Sequence, residues 1–395
     1  MGKIVVTGMG VISAIGNNVT ENRHALIEGK SGISTLEMFP SKFVGSLPVG
    51  EIKISDNTFI KNLQVKEQGI SRTTLLALHA FNEAVADSNL SGKQISSFDT
   101  AFITASTVGG MCHTDMMYND AKIDTAGSPF ISSYEYAATS LYLQKRFSLQ
   151  GHVNTINTAC SSSANAIMYG AKLIKSGRAN RVIVGGVDSL AKFTINGFNA
   201  LHILSAKPCT PFDEERTGLN LGEAAAFIVL EKEEDATHKK NYATLSGYSN
   251  ANDSYHASTL SNEANGPYFA MKAALEAANL LPSQINYVNA HGTSTENNDL
   301  IESIAMLKLF ENAPLFSSTK ANTGHTLGAA AAVEAVYCIL NLYHQELYGA
   351  LRFYNPIATT KLAPIQAYTK IPLSHVMSNS FGFGGNCSSL IFSKI

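Results

Sequence analysis

Along the chain, β-branched and apolar residues gather in short runs, and between them lie longer stretches whose apolar residues recur every three or four positions. The opening run KIVVTGMGVIS ends in glycines and gives way to a helical pattern from about Val19 to Glu28, the layout of a strand feeding a helix through a tight turn. Strand-type runs recur at TAFITAS, HVNTINT, RVIVGGVDS, AAFIVLE, YATLSGY, INYVNAH, PLFSSTK, HVMSNSF and SSLIFSK. Stretches such as TTLLALHAFNEAVADSNL and PYFAMKAALEAANLL predict helices between them. Strands alternating with helices define an α/β protein with crossover connections. RVIVGGV and AAFIVL are apolar without alternation, so these strands are expected to be covered on both faces.

Near Glu231 the pattern breaks. EKEEDATHKKN is charged and weakly periodic, and the strand run YATLSGY starts afresh after it. A boundary between two halves, residues 1–235 and 236–395, is expected there; a solvated helix within one domain is the alternative. Apolar residues make up 45% of the chain and charged residues 15%, a sparse surface charge that points to a face covered by another subunit. The formal net charge of -2 supplies no global field toward nucleic acid or lipid. No uninterrupted apolar run long enough for a membrane span is present, and the N-terminus lacks a signal-peptide layout, so a cytoplasmic protein is expected. Five scattered cysteines without a CxxC pair fit a reducing compartment and offer no zinc framework.

Four segments carry candidate chemistry. In NTINTACSSSA, Cys160 stands where a strand run ends and a helical pattern begins, followed by residues no larger than serine. A helix start favours a thiolate, and the expected effect is a thiol pKa lowered by about one unit; a buried cysteine serving as a small hydrophobe is the competing reading. In VNAHGTSTENND, His291 falls at the carboxyl end of a strand, where α/β sheets gather ligands, and the hydroxyls of Thr293 and Thr295 follow. In SSTKANTGHTLGAAAAVEA, a strand delivers Lys320 and a glycine-containing loop presents His325 before an alanine-rich helix, whose N-terminus disfavours the protonated ring. In SNSFGFGGNCSSLIF, glycines around Phe381 and Phe383 suit a backbone that turns sharply and aims N–H groups inward.

Taken in order, VVTGMGVISAIGN, TACSSS, PFDEERTGLNLGEAAA, NAHGTSTENND, STKANTGHTLGAAAAVEA and NSFGFGGN resemble the β-ketoacyl-acyl-carrier-protein synthases, condensing enzymes of the thiolase-like superfamily. The resemblance runs nearly end to end. It implies two similar α/β halves stacked as a five-layered α-β-α-β-α body, with the cysteine on the first half and both histidines on the second. It further implies a homodimer, or a heterodimer with a related subunit, and an acidic acyl carrier protein as partner. By motif position, Cys160 takes the acyl chain, and His291 and His325 hold the malonyl thioester and its enolate. Lys320 orders the charges around His325 together with Glu334. The backbone N–H groups of Cys160 and Phe383 form an oxyanion hole, with Phe381 and Phe383 at the gate, and Thr293 and Thr295 meet the phosphopantetheine arm. Lys207 is the expected carrier contact, and neither metal nor redox cofactor is required. Two positions depart from the family pattern: Cys387 replaces an asparagine, which puts the bonding near Lys320 and Glu334 in question, and Glu296 replaces a proline. The wording VDSLAKFTINGF with GLNLGEAAA resembles synthases of aryl polyene and related pigment clusters. A thiolase, with Cys387 as its second cysteine, and a non-catalytic chain-length-factor-like subunit are the alternatives.

Overall fold

The computed structural model describes residues 2–123 and 127–395. The first half contains β1 (Ile4–Ser13), α1 (Val19–Ile27), α2 (Arg72–Asp87), β2 (Thr100–Ala105), α3 (Ala138–Phe147), β3 (Val153–Ile156), α4 (Ser162–Lys175), β4 (Arg181–Asp188), α5 (Lys192–Ala200) and β5 (Ala224–Lys232). The second contains β6 (Ala243–Asn252), α6 (Asn265–Ala278), β7 (Tyr287–Asn289), α7 (Glu296–Leu309), β8 (Leu315–Ser317), α8 (Ala330–His344), β9 (His375–Phe381) and β10 (Asn386–Ser393). The charged stretch near Glu231 becomes the end of β5 and a 3-10 turn, Glu233–Asp235.

The ten strands run in the order β8-β7-β9-β10-β6-β1-β5-β4-β2-β3. Counted outward from the centre, each half places its first, fifth, fourth, second and third strand in turn. The pairing senses also agree: the first three strands of each half pair antiparallel and the outer pairs are parallel. One topology therefore occurs twice. The halves meet in the sheet through only two residue pairs, Val5 with Thr244 and Val6 with Ala243.

Packing explains why a narrow seam suffices. Inward-facing residues of both half-sheets, among them Val6, Met9, Ile228, Leu245 and Val376, share one apolar cluster with α4 and α8. On the outer faces, α2 closes over Phe102, Ile183 and Phe227, and α6 and α7 close over Val288, Met377 and Ile391. The result is a five-layered mixed α/β body with α4 and α8 in the middle layer. Leu327–His344 is long and apolar enough to cross a membrane by length and composition, with mean hydropathy 1.3, yet 89% of it is buried inside the body. Polar residues such as Glu334 and Asn341 interrupt the segment, so it holds no uninterrupted apolar run of that length. Each fully buried Val, Ile or Leu of that helix contributes about 1.5–3 kcal/mol.

The duplication sets up the site. Cys160 follows the third strand of the first half and precedes its central helix, and His325 occupies the equivalent place in the second half. His291 follows β7, the neighbouring parallel strand.

Candidate active site

The chain reaches Cys160 through a strained turn. Ala159 has φ 54, a left-handed conformation that costs a non-glycine residue about 1–2 kcal/mol. Side-chain bonds offset the strain: the Thr158 N–H donates to Ser162 Oγ at 2.9 Å, and the Ala159 N–H donates to Asn157 Oδ1 at 3.2 Å. The small residues that follow have a packing reason. A Cβ on Gly186 would stand 2.8 Å from Ser163 Cβ, and Ser163 Oγ accepts the Ala332 N–H at 2.9 Å, so α4 and α8 join closely at their N-terminal ends.

Cys160 is 5% exposed. Burial pushes its thiol up to about 11; the Lys320 charge and the N–H groups of Phe383 and Cys160 pull the other way. The expectation of a lowered pKa is therefore corrected. α4 begins only at Ser162, and desolvation of the sulfur outweighs what a helix start supplies.

Polar atoms of Cys160, His291 and His325 all lie within 4.8 Å of one another. The imidazole planes are near perpendicular, with centroids 5.4 Å apart. Hydrogen bonds assign the same tautomer to both rings. His325 Nδ1 accepts the Leu327 N–H at 3.2 Å, and His291 Nδ1 faces the Lys320 ammonium at 3.3 Å, which can only donate. Each ring thus carries its proton on Nε2, and the His325 Nε2–H has no partner among the described residues. Both rings are held neutral, their pKa values pushed well below the ordinary histidine range by burial first and the Lys320 charge second. The helix N-terminus expected to do this is separated from His325 by a 3-10 turn, Leu327–Ala329. A Cys/His/His set can ligate zinc, but a ligating nitrogen needs a free lone pair, and both Nε2 atoms are protonated here.

Lys320 hydrogen-bonds His291, and its charge acts on both rings. Its ammonium donates to the His291 carbonyl at 2.6 Å, to His291 Nδ1 and to the buried Glu334 carboxylate. The expected lysine–glutamate pair is present, and the ring it bonds is His291. His325 takes its backbone support from the first half: its N–H donates to the Asn220 carbonyl at 2.7 Å, and its carbonyl accepts the Gly222 N–H at 2.9 Å. The GLNLGEAAA segment thus pins a histidine of the opposite half.

Two cavities meet at Cys160, with Phe383 lining both. One, of about 280 Å³, is lined by Cys160, His291, His325, Thr293, Thr295 and Phe381. The other, of about 390 Å³, is mostly apolar and runs past Val108, Met111, Phe193 and Phe198. Phe383 is half-buried and stacks on Phe198, centroids 5.7 Å apart and planes 17° from parallel. Gly384 and Gly385 after it have φ 79 and 77, conformations that favour glycine. Phe381 packs against His291, centroids 5.8 Å apart. Thr293 and Thr295 bond each other at 2.9 Å on the cavity wall, and Glu296, exposed, forms part of its rim. Lys207 is exposed and does not line the cavity.

Cys387 is fully buried in the outer apolar cluster of the second half, where a Cβ on Gly266 would meet its sulfur at 3.0 Å. The Lys320–Glu334 bond forms without it, while Glu334 Oε2 has no partner among the described residues. Cys387 also lines neither cavity at Cys160, the place a second thiolase cysteine requires.

Three side chains without a motif signal, the buried Glu302 and Asp188 and the half-buried Asn386, hold the site's loops. Glu302 accepts the N–H groups of His291 and Gly292, each at 2.9 Å. Asp188 accepts from Ser106, Thr107, Val108 and Gly328. Asn386 Oδ1 accepts from Ser161 at 2.7 Å, Asn165 at 2.8 Å and Asn250 at 2.6 Å, tying the glycine loop to the nucleophile turn.

A buried thiol, two neutral N–H donors and inward amides form a site for acyl transfer through a thioester. Residues 1–236 match the family model described as beta-ketoacyl synthase, N-terminal domain, and residues 242–353 the corresponding C-terminal domain. The chain belongs to the beta-ketoacyl synthase family; it is an acyltransferase, a condensing enzyme of the ketosynthase type. Similar curated proteins include a putative mitochondrial 3-oxoacyl-[acyl-carrier-protein] synthase of Schizosaccharomyces pombe, 33% identical over 425 residues, covering 100% of this chain and 99% of that one. The 3-oxoacyl-[acyl-carrier-protein] synthase 2 of Coxiella burnetii is 32% identical with the same coverage. Among solved structures, the ketosynthase ApeO in complex with its chain length factor ApeC from Xenorhabdus doucetiae matches with TM-score 0.89 at 29% identity, covering 100% of this chain and 98% of that one. A beta-ketoacyl synthase from Burkholderia phymatum matches with TM-score 0.89 at 28% identity, covering 100% of both chains.

Proposed function

We propose that the protein condenses a malonyl thioester, carried on acyl carrier protein, with an acyl chain held on Cys160, releasing carbon dioxide and 3-oxoacyl-carrier. The observation that carries this reading is the convergence of two neutral Nε2–H donors on the sulfur. In the loading step the Cys160 sulfur attacks the acyl thioester, and the N–H groups of Cys160 and Phe383 bind the oxyanion. The carrier thiol leaves with the proton that Cys160 gave up. The malonyl thioester then enters beside Thr293 and Thr295, its carbonyl oxygen accepting from both imidazoles. The bond to the carboxylate breaks, carbon dioxide departs, and the enolate oxygen keeps its two donors. The enolate carbon attacks the Cys160 thioester, and the sulfur leaves to be reprotonated. Each donor aimed at developing charge is worth about 10²–10³ in rate. No cofactor enters this sequence.

The exposed Lys207 is the proposed contact for an acidic carrier. β3 is an unpaired, partly exposed edge of the sheet, and pairing of two such edges supports a homodimer. Five free cysteines fit a reducing compartment, cytosol or mitochondrial matrix.

The test supplies malonyl-carrier and an acyl-loaded carrier. Carbon dioxide release with a 3-oxoacyl product supports the reading, provided Cys160→Ala abolishes acyl loading. Acetyl exchange on coenzyme A in its place identifies a thiolase, and neither reaction identifies a chain-length-factor-like subunit. The mass of the chain trapped on Cys160 in the native host separates a saturated fatty acid from an aryl polyene or other polyketide.

A further inference from the structure

The apolar cavity at Cys160 is bounded on one side by Met111 and Phe193. Both side chains also line a further cavity of about 450 Å³, so they stand between the two spaces. The character of the lining changes there, and His113 is the telling residue. It is 7% exposed, and neither ring nitrogen has a hydrogen-bond partner among the described residues. Its ring lies flat on Phe130, centroids 4.0 Å apart and 19° from parallel, which fixes its orientation. Burial lowers its pKa, so the neutral ring presents one N–H and one lone pair. Buried polar groups are almost always bonded, and an orphan on a cavity wall is a place where a ligand completes the set. The charges on the same wall are already matched: Arg72 bonds Glu223 and Asp56, and Lys192 bonds Asp115 at 2.6 Å. The wall therefore offers hydrogen bonds to a neutral group and no spare cation for a carboxylate.

We propose that this second cavity receives the far end of the Cys160-bound acyl chain and that His113 binds a neutral hydroxyl or carbonyl there, so that the protein selects chains with a polar end over methyl-ended ones. The inference rests on the condensing reading above and specifies its substrate class. A hydroxyl can donate to the ring's free nitrogen or accept from its N–H, and a carbonyl can accept from the N–H, whereas a methyl end can do neither.

The experiment loads the full-length protein with acyl-carrier thioesters of rising length, each made with a methyl end and with a hydroxyl end, and follows the acyl mass on Cys160. At the length that first reaches past Met111, the hydroxyl-ended chain is expected to load about 3- to 10-fold faster, the worth of one buried hydrogen bond. His113→Phe should bring that ratio to about one, and His113→Gln should restore part of it; using the ratio within each variant removes any general loss of fold. Met111→Trp, which thickens the partition between the two cavities, should stop long chains of both kinds. Equal or faster loading of methyl-ended chains by the parent protein overturns the proposal. So does a ratio that survives His113→Phe, or long-chain loading that survives Met111→Trp. Absence of acyl mass on Cys160 with every chain, the shortest included, overturns the condensing reading itself and this inference with it.

Discussion

Replacing Lys320 by methionine leaves the Glu334 carboxyl buried without its cation. Lys320 and Glu334 are each about 2% exposed, and Glu334 Oε2 has no partner among the described residues, so no neighbour takes over. Removing one member of a buried pair costs about 3–5 kcal/mol. The pH dependence sharpens the prediction. Burial pushes Glu334 up to about 7 even with Lys320 drawing it back. An unfolded glutamate titrates near 4.3, so above that pH folding must take up a proton, at about 1.4 kcal/mol per pH unit, until the folded pKa is passed. In the parent protein this penalty stops growing near pH 7. In Lys320→Met the folded pKa lies higher, and the penalty keeps growing. The stability deficit of the variant should therefore widen above about pH 7 and stay level between about pH 5 and about pH 7. Adding Glu334→Leu should recover most of the stability, because an apolar pair of similar volume is tolerated in place of ions. Activity should stay depressed at least about 100-fold, since His291 has lost the donor that fixes its tautomer. Guanidinium unfolding at three pH values, with condensation assays on the same samples, reads all of this. A variant that unfolds at the parent midpoint, or whose deficit shrinks as pH rises, refutes the reasoning.

His325→Ala should slow malonyl decarboxylation at least about 100-fold more than it slows acyl loading of Cys160; equal losses in single-turnover assays would argue against a donor aimed at the enolate. With its thiol pushed up to about 11, Cys160 should react with iodoacetamide about tenfold faster per pH unit across the neutral range, and a plateau near pH 7 would restore the helix-start expectation. Lys207→Glu should raise the KM for the carrier more than it lowers kcat, and the opposite split in steady-state kinetics would remove Lys207 from the docking face.

Most elements were legible because their signal is local. RVIVGGV and AAFIVL are apolar without alternation because both faces are covered, and TTLLALHAFNEAVAD carries the helical period of α2. The repeated strand order was not readable from residue patterns, since it is set by contacts between distant segments; it was expected only from the family resemblance. The ends of β3, β7 and β8 brought Cys160, His291 and His325 forward because glycine or small residues mark those turns. Their supports stayed hidden. Glu302, Asp188 and Asn386 act by accepting N–H groups from loops far away in sequence, which leaves no spacing to detect. The hydrogen bond of Lys320 to His291 was not foreseen because His325 is five residues away in sequence and His291 twenty-nine, whereas proximity in the fold follows the parallel pairing of β7 with β8. The raised thiol pKa of Cys160 follows from how deeply the fold buries the sulfur, a quantity no short motif encodes.

The middle layer has a consequence for how the molecule is made. α8 packs on β9 of its own half and on β5 of the other, while α4 covers β4 and β2, so during synthesis the β5 side of the first half's inner face waits uncovered until a helix near residue 340 has emerged. A ribosome-bound chain therefore carries a sticky surface from the completion of β5 until α8 has emerged, a natural client for holding chaperones. Cut between residues 236 and 242, the two fragments should be insoluble when expressed apart and should assemble when produced together, each acting as the other's missing lid.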